Sequence, residues 1–276
     1  MKKLHPLAEE FYEYLRYSKS PRTAYNYALN VDSFLRFVRK PLEQITPLDI
    51  TRWYRHLTKK GYDERSLVRF GWALKAFFDV MGRDDLKKRT PIPRYNPEYN
   101  PPWLDEKTTF KLIDSNPILC VAYDLALRAG EVPLLKLSDY NPHTGDIVVY
   151  RLKHHGRRNE YSLKLDDWCR KILNEYLEDA AGSLSGGRIF PFSVATVQRQ
   201  FRRRAKTIGL DTRKYTFHCL RHSRITHIAI HELEEKGNVD IVSLAQFAGH
   251  LRVETTMMYI HLASRYLAFK SRSGSG

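Results

Sequence analysis

The segment HCLRHSR, residues 218–224, places His218 and Arg221 three positions apart. Residues at this spacing share one face of a helix, so both side chains can approach the same small group. The planar guanidinium of arginine matches two oxygens of a phosphate or carboxylate, and an imidazole beside it can donate a hydrogen bond or move a proton. The pair therefore indicates one half of a phosphate site, and the rest of the chain must supply the other half.

The charge of the chain favours a polyanionic partner. Its 46 lysines and arginines exceed 31 acidic residues, which gives a net charge of +15 over 276 residues. Such an excess is typical of proteins that bind nucleic acid or an acidic membrane surface. No apolar run reaches the length of a membrane span, and MKKLHPLAEE (1–10) turns polar too early for a secretion signal. Three cysteines without C-x-x-C spacing indicate a reducing compartment, so we expect a cytoplasmic, nucleoid-associated protein and no membrane partner.

Residues 1–82 predict an all-α domain. Apolar residues recur there at helical spacing in four segments. One helix is expected to begin at Thr46-Pro47, a cap residue followed by proline, and to end near Gly61. Basic side chains that suit the outside of a duplex include Arg22, Lys59 and Arg69.

A second domain is expected over residues 103–270, after a proline-rich linker at 83–102. Its pattern predicts mainly helices, including one over about 117–128 and one over about 217–235. It also predicts two strands, 146–153 and 160–165, joined by the turn HHGRRN. The domain is therefore mainly α, of the α+β class, with one small antiparallel sheet. Residues 271–276 are a low-complexity stretch that we expect to be disordered.

Several further polar residues accompany the opening pair. The stretch LALRAGEVPLLKLSD (125–139) contains Arg128, Glu131 and Asp139, and Lys153 ends the first predicted strand. FAGH offers His250, and TTMMYIH offers Tyr259 nine residues later. A predicted helix within QRQFRRRAK (198–206) carries Arg202 and Arg203, which suit the DNA backbone or the major groove. Taken singly, each of these residues has an ordinary structural interpretation.

Taken together and in this order, the residues resemble the active-site signature of the tyrosine recombinases, or phage-type integrases. The resemblance rests on the L-R-x-x-E and H-x-L-R-H-S motifs, and on G-H followed by T-T and tyrosine. The matching set is Arg128, Lys153, His218, Arg221, His250 and Tyr259. It departs from the family at Leu125-Ala126, where threonine-glycine is usual.

The resemblance implies an N-terminal core-binding, SAM-like domain and a C-terminal catalytic domain. It also implies a site-specific recombinase or integrase that cleaves and rejoins double-stranded DNA through a 3′-phosphotyrosine, without ATP, metal or cofactor, as a tetramer on two DNA sites. Tyr259 would be the nucleophile and Lys153 the general acid that protonates the leaving oxygen. Arg128, Arg221 and His250 would hold the phosphate, and His218 would assist proton transfer. Glu131 and Asp139 would orient the arginines.

Three alternatives remain open from the sequence. A type IB topoisomerase uses similar chemistry as a monomer, although such enzymes usually have lysine where His218 stands. An inactive, integrase-derived DNA-binding regulator would keep the fold without the reaction. A metal-dependent nuclease would use the histidine pairs His218/His222 or His227/His231, whose i,i+4 spacing suits two ligands on one helix face.

Overall fold

The structure, a computed structural model, describes residues 3–94, 100–154, 157–181 and 186–273. Of residues 152–154, 157–159 and 273 it describes the backbone alone. The chain divides into two compact units, an N-terminal unit (1–98) and a C-terminal unit (99–276). The described residues are mostly helical, with one two-stranded antiparallel sheet, and this confirms the predicted fold class.

Among the described residues, five α-helices belong to the N-terminal unit and seven to the C-terminal unit. The first five are α1 (Pro6–Leu15), α2 (Pro21–Val38), α3 (Pro47–Lys59), α4 (Glu64–Val80) and α5 (Asp84–Arg89). The others are α6 (Glu106–Ile113), α7 (Pro117–Asp124), α8 (Asp167–Ala180), α9 (Val194–Thr207), α10 (His218–Lys236), α11 (Ile241–Ala248) and α12 (Val253–Ser273).

Local signals explain why the helices of the N-terminal unit begin and end where they do. The Asp49 carboxylate accepts hydrogen bonds from the backbone N–H and hydroxyl of Thr46, each at 2.9 Å, and so fixes the start of α3. Gly61 follows α3 with a φ of 84°, as predicted. Aromatic rings from several helices then fill one core, in which Phe34 packs edge-on against Trp53 with ring centres 5.2 Å apart.

The stretch predicted as a linker begins with helix α5. Asp84 and Asp85 occupy its first turn, where acidic side chains complement the helix dipole. Leu86 is fully buried and joins the core of the N-terminal unit. Apolar periodicity over only six residues is too short to reveal such a helix.

The sheet of the C-terminal unit consists of β1 (Asp146–His154) and β2 (Arg157–Lys164). The turn predicted at 154–159 is therefore wrong in length, because His154 pairs with Arg157 and only 155–156 lie outside the described residues. Ile147 and Val149 are buried on the face of β1 that packs into the domain core.

A second core joins α10, α11 and α12, and it includes Tyr259. The last of these helices continues to Ser273, so the disorder predicted for 271–276 is wrong for 271–273; residues 274–276 lie outside the described residues. None of the helices in the described ranges combines the length and apolar character that crossing a bilayer requires.

Candidate active site

Helix α10 carries Arg221 into the interior of the C-terminal unit, one turn after the exposed His218. The Arg221 residue is 1% exposed, and its guanidinium donates to the carbonyl oxygen of Ala126 at 2.6 Å and to that of Ala248. These carbonyls lie at the ends of two other segments of the chain. Arg221 thus fixes three parts of the site relative to one another.

The segment after α7 supplies a second arginine. The Arg128 backbone N–H donates to Glu131 Oε2 at 2.9 Å, and its side chain donates to Oε1 at 2.9 Å. Buried Arg151, in β1, donates to the same Oε2 at 3.0 Å. Glu131 is itself fully buried, so one carboxylate holds two guanidinium groups.

This segment is a turn, although the sequence predicts helix as far as residue 128. Helix α7 ends at Asp124, and Ala126 adopts a left-handed conformation with a φ of 48°. That conformation aims the Ala126 carbonyl at both Arg151 and Arg221. Two charge-assisted hydrogen bonds offset the strain of a non-glycine residue in this region.

The segment after α11 supplies His250. Gly249 ends the helix with a φ of 63°, and a Cβ built on it would lie 3.0 Å from Cγ of Arg151. His250 Nδ1 is hydrogen-bonded to the hydroxyl of buried Thr256 at 2.9 Å, which links the G-H and T-T motifs. Glycine is required here because the turn is left-handed and because Arg151 packs directly against it.

Tyr259 lies in the interior of the C-terminal unit and is 2% exposed. Its hydroxyl is 2.7 Å from Nδ1 of His222, another residue of α10. The rings of His222 and His250 are nearly parallel to the tyrosine ring, with centres 5.8 Å and 5.7 Å from it. Two imidazole rings therefore flank the predicted nucleophile.

The charged groups of this site shift one another's pKa values, as expected of neighbouring groups that are largely buried. Burial first, and then Arg128 and Arg151, lower the pKa of Arg221 to about 9, so it remains a cation at neutral pH. Burial opposes ionisation of Glu131, but the two arginines outweigh it and hold the pKa of that carboxyl below its ordinary value. We call Arg128, Arg151, Arg221, His218 and His250 the basic cluster.

Not every predicted residue joins the basic cluster. Asp139 accepts a hydrogen bond from the hydroxyl of Tyr150 at 2.8 Å and lies 3.6 Å from Lys136, so among the described side chains it contacts no arginine of the cluster. The expectation that Asp139 orients the arginines is therefore not supported by its contacts. The backbone of Lys153 lies near the end of β1, and its side chain lies outside the described residues.

The basic residues predicted to bind DNA are exposed; they are Arg22, Lys59, Arg69, Arg202 and Arg203. An open cavity of about 380 Å³ lies beside His218, and Gln198 and Arg202 of α9 line it. Arg202 therefore stands next to the basic cluster, on the side where His218 reaches solvent.

Sequence reasoning missed two residues of this site. Arg151 lies on the same face of β1 as buried Ile147 and Val149, because side chains two residues apart in a strand point the same way. A charged residue at such an inward position indicates a buried ion pair. The i,i+4 spacing points to His222 as a metal ligand and not as a partner of the tyrosine. Its position directly after Arg221 placed it on the helix that carries the site, but nothing local connected it to Tyr259.

The histidines proposed as metal ligands have other partners. His222 Nδ1 contacts Tyr259, and both ring nitrogens of His227 are engaged, by the Tyr123 hydroxyl at 2.8 Å and the Leu104 carbonyl at 2.9 Å. His231 Nε2 is 2.7 Å from Glu106. These contacts engage three of the four histidines with protein groups.

The buried histidines predict that acid destabilises the protein. Burial is the main cause that lowers the pKa to about 3 for His222, about 4 for His227 and about 3 for His250. Unfolded histidines take up protons near pH 6.5, whereas these stay neutral in the folded state, so their stabilising effect is complete above that pH and is lost as the pH falls towards 4. In that window each histidine lowers the free energy of unfolding by about 1.4 kcal/mol for each pH unit of acidification, and the three together lower it by roughly 4 kcal/mol per pH unit.

Urea unfolding at pH 7.5, 6.0 and 5.0, followed by circular dichroism, measures this dependence. The variant His227→Asn should reduce the slope by about a third, since one of the three histidines is removed. A free energy of unfolding that is unchanged between pH 7.5 and 5.0 would contradict the neutral, buried assignment.

Two protein-family models and several known proteins match the chain. The model for the "Phage integrase family" matches residues 106–265, more than half of the chain, and that for "Phage integrase, N-terminal SAM-like domain" matches residues 8–84. Tyrosine recombinase XerA of Pyrococcus furiosus is 28% identical over 275 residues, covering 94% of this chain and 90% of that protein.

Two solved structures show the same arrangement of elements. A crystal structure of XerA recombinase, 28% identical, covers 96% of this chain and 98% of its own with a TM-score of 0.53. A lambda integrase tetramer bound to a Holliday junction, 19% identical, covers 92% of this chain and 76% of its own with a TM-score of 0.71, and it supports the fold alone. Because the family models match both its N-terminal and its catalytic segments, the chain belongs to the phage integrase family of tyrosine recombinases.

Proposed function

We propose that this protein is a site-specific DNA recombinase that cleaves and rejoins double-stranded DNA through a 3′-phosphotyrosine at Tyr259, without ATP or metal. The observation that carries the proposal is the position of the Tyr259 hydroxyl, hydrogen-bonded to a histidine of α10 and next to the basic cluster. A nucleophile, proton carriers and fixed cations are the parts that phosphoryl transfer requires.

The tyrosine stores the energy of the broken bond. Its oxygen displaces the 5′-oxygen of the next nucleotide, so one phosphodiester is exchanged for another and rejoining is the same step reversed. A free phenol titrates near 10, so Tyr259 must lose its proton as it attacks. Negative charge grows on the non-bridging phosphate oxygens at the same time, and preorganised cations stabilise that charge more than they stabilise the bound substrate.

Each remaining residue has one role in the proposal. Arg128 and Arg221 clamp the phosphate, and Glu131 holds Arg128 in place through two hydrogen bonds. His250, whose Nδ1 is engaged by Thr256, offers its Nε2 to the phosphate. His218 assists proton transfer at the exposed side of the basic cluster, and Lys153 is the general acid for the departing oxygen.

Both units contribute to DNA binding in this account. The segment 1–82 binds the core of the DNA site through exposed cations such as Arg22 and Arg69. The segment 103–270 also binds the DNA, and it carries out cleavage and rejoining. Arg202 and Arg203 contact DNA beside the cavity at His218. We propose a tetramer on two sites because recombination exchanges four strands.

Covalent capture tests the proposal. The protein is incubated with fragmented genomic DNA of its source in EDTA and without ATP, denatured with SDS, and the attached DNA is sequenced. We expect attachment at a recurring site, complete loss of it in Tyr259→Phe, and full retention in Tyr123→Phe. The second variant is a matched control, because Tyr123 is also buried and hydrogen-bonded to a histidine of α10.

The other outcomes separate the alternatives. Attachment scattered over many sequences would indicate a type IB topoisomerase, and cleavage abolished by EDTA would indicate a metal-dependent nuclease. Salt-sensitive DNA binding without any adduct would indicate an inactive DNA-binding regulator and would overturn the proposal.

A further inference from the structure

We propose that His222 is a further catalytic residue, which accepts the proton of Tyr259 as the tyrosine attacks phosphorus and returns it on rejoining. This inference rests on the proposed function and assigns a role within it. It differs from the role implied by resemblance, in which His218 assists proton transfer. In the structure His222, one turn further along α10, contacts the hydroxyl of the tyrosine.

The geometry is that of a base and its nucleophile. His222 Nδ1 and Tyr259 Oη are 2.7 Å apart, within the range required for proton transfer along a hydrogen bond. Both residues are buried, at 5% and 2% exposure, so water does not compete for the contact. Nδ1 accepts from the phenol when His222 carries its proton on Nε2, and this is the tautomer that the proposal assigns.

The charges around His222 connect proton transfer to substrate binding. The groups that face it are His218 and Arg221 on its own helix, His250 at the end of α11 and Tyr259 on α12. Burial first, and then His218 and Arg221, lower the pKa of His222 to about 3, so the free enzyme holds a neutral imidazole. A phosphate bound by Arg221 brings negative charge that opposes these effects and makes the imidazole a stronger base when the substrate is present.

A second histidine–tyrosine pair in the same unit provides an internal comparison. His227 Nδ1 lies 2.8 Å from the hydroxyl of Tyr123, and both residues are buried. This pair is surrounded by aromatic rings, including Trp103 and Trp168. A buried histidine–tyrosine hydrogen bond is therefore a packing device of this fold in its own right. What distinguishes His222 is its place beside the basic cluster.

The proton balance is simple. As the Oη–P bond forms, the phenol proton passes to His222 Nδ1, while the P–O5′ bond breaks and Lys153 gives a proton to the departing oxygen. In rejoining, the 5′-hydroxyl loses its proton to Lys153 and attacks the phosphotyrosine, and His222 returns its proton to the Tyr259 oxygen. Neither direction requires another reactant.

The test compares His222→Asn with His227→Asn. Asparagine keeps a hydrogen-bond acceptor but cannot hold the proton. On a DNA site recovered by covalent capture, we expect His222→Asn to form the adduct at least about 100-fold more slowly at pH 7, with unchanged DNA affinity. The rate of this variant should rise steadily as the pH approaches about 10, the pKa of a free phenol, whereas the wild-type rate should level off at lower pH. His227→Asn should keep the wild-type rate and pH profile.

The role of His222 would be overturned if His222→Asn formed the adduct at a rate within twofold of that of His227→Asn while the wild-type protein was active. The proposed function would then still stand. Absence of adduct in wild-type protein would overturn both. A DNA-free measurement keeps the proposal testable if His222→Asn fails to fold. In ¹⁵N spectra of wild-type protein with labelled histidine, His222 should show a protonated Nε2 and an unprotonated Nδ1, and a protonated Nδ1 would overturn the proposal.

Discussion

Replacing Arg221 with alanine is expected to slow adduct formation by about 10²- to 10³-fold, the usual effect of removing one preorganised donor from a transition state. Arg221 is held by the carbonyls of Ala126 and Ala248, so it meets the phosphate in a fixed position and without reorganisation. Affinity for DNA should change little, because most contacts to a duplex lie elsewhere on its backbone. Single-turnover adduct formation and a separate binding titration measure the two quantities.

Arg224→Ala is the matched control for this prediction. Arg224 lies one turn from Arg221 on α10, but it pairs with Asp124 and Asp166 at 2.9 Å and 2.7 Å. Its loss should destabilise the protein and leave the rate of the folded fraction unchanged. Equal rates for the two variants, measured where both are folded, would remove Arg221 from the reaction.

Replacing Arg151 with methionine is expected to lower the free energy of unfolding by about 3–5 kcal/mol, the effect of breaking a buried ion pair from one side. The guanidinium donates to Glu131, and also to the carbonyls of Leu125 at 3.0 Å and Phe247 at 2.7 Å. Methionine fills similar space but removes the donor of both buried carbonyls, and it leaves Glu131 with Arg128 as its one guanidinium partner among the described side chains. Urea unfolding monitored by circular dichroism measures the change.

Arg204→Met provides the comparison. Arg204 also contacts carbonyls, of Leu112 and Asp114, but its side chain is 36% exposed, so its replacement should change the free energy of unfolding by less than about 1 kcal/mol. If Arg151→Met were no more destabilising than Arg204→Met, the buried arginine would not be what holds Glu131 and the end of α11 together.

The sequence predicts most of the architecture because its signals are local. The cap at Thr46-Pro47, the stop at Gly61 and the helical apolar periodicity of α10 each depend on residues within a few positions, and the structure confirms them. The spacing of His218 and Arg221 likewise follows from helix geometry alone.

The departures arise where tertiary contacts override local preference. Residues 125–127 are apolar enough to extend a helix, yet Ala126 turns left-handed, and Arg151 and Arg221 both bind its carbonyl. Glycine is usual in the family at this position, and the positive φ explains why. The partner of Tyr259 was also hidden from the sequence, because residues 222 and 259 are brought together only by the packing of α10 against α12.

The central claim is that Tyr259 itself becomes bonded to DNA, and peptide mapping tests it most directly. The SDS-resistant adduct would be treated with nuclease and trypsin, and the peptides analysed by mass spectrometry. Cleavage after Arg252 and Arg265 releases VETTMMYIHLASR (253–265), which contains Tyr259 as its single tyrosine. We expect the mass of a residual nucleotide on this peptide, fragmenting to the tyrosine. Nucleotide mass on any other residue, with this peptide unmodified, would contradict the account.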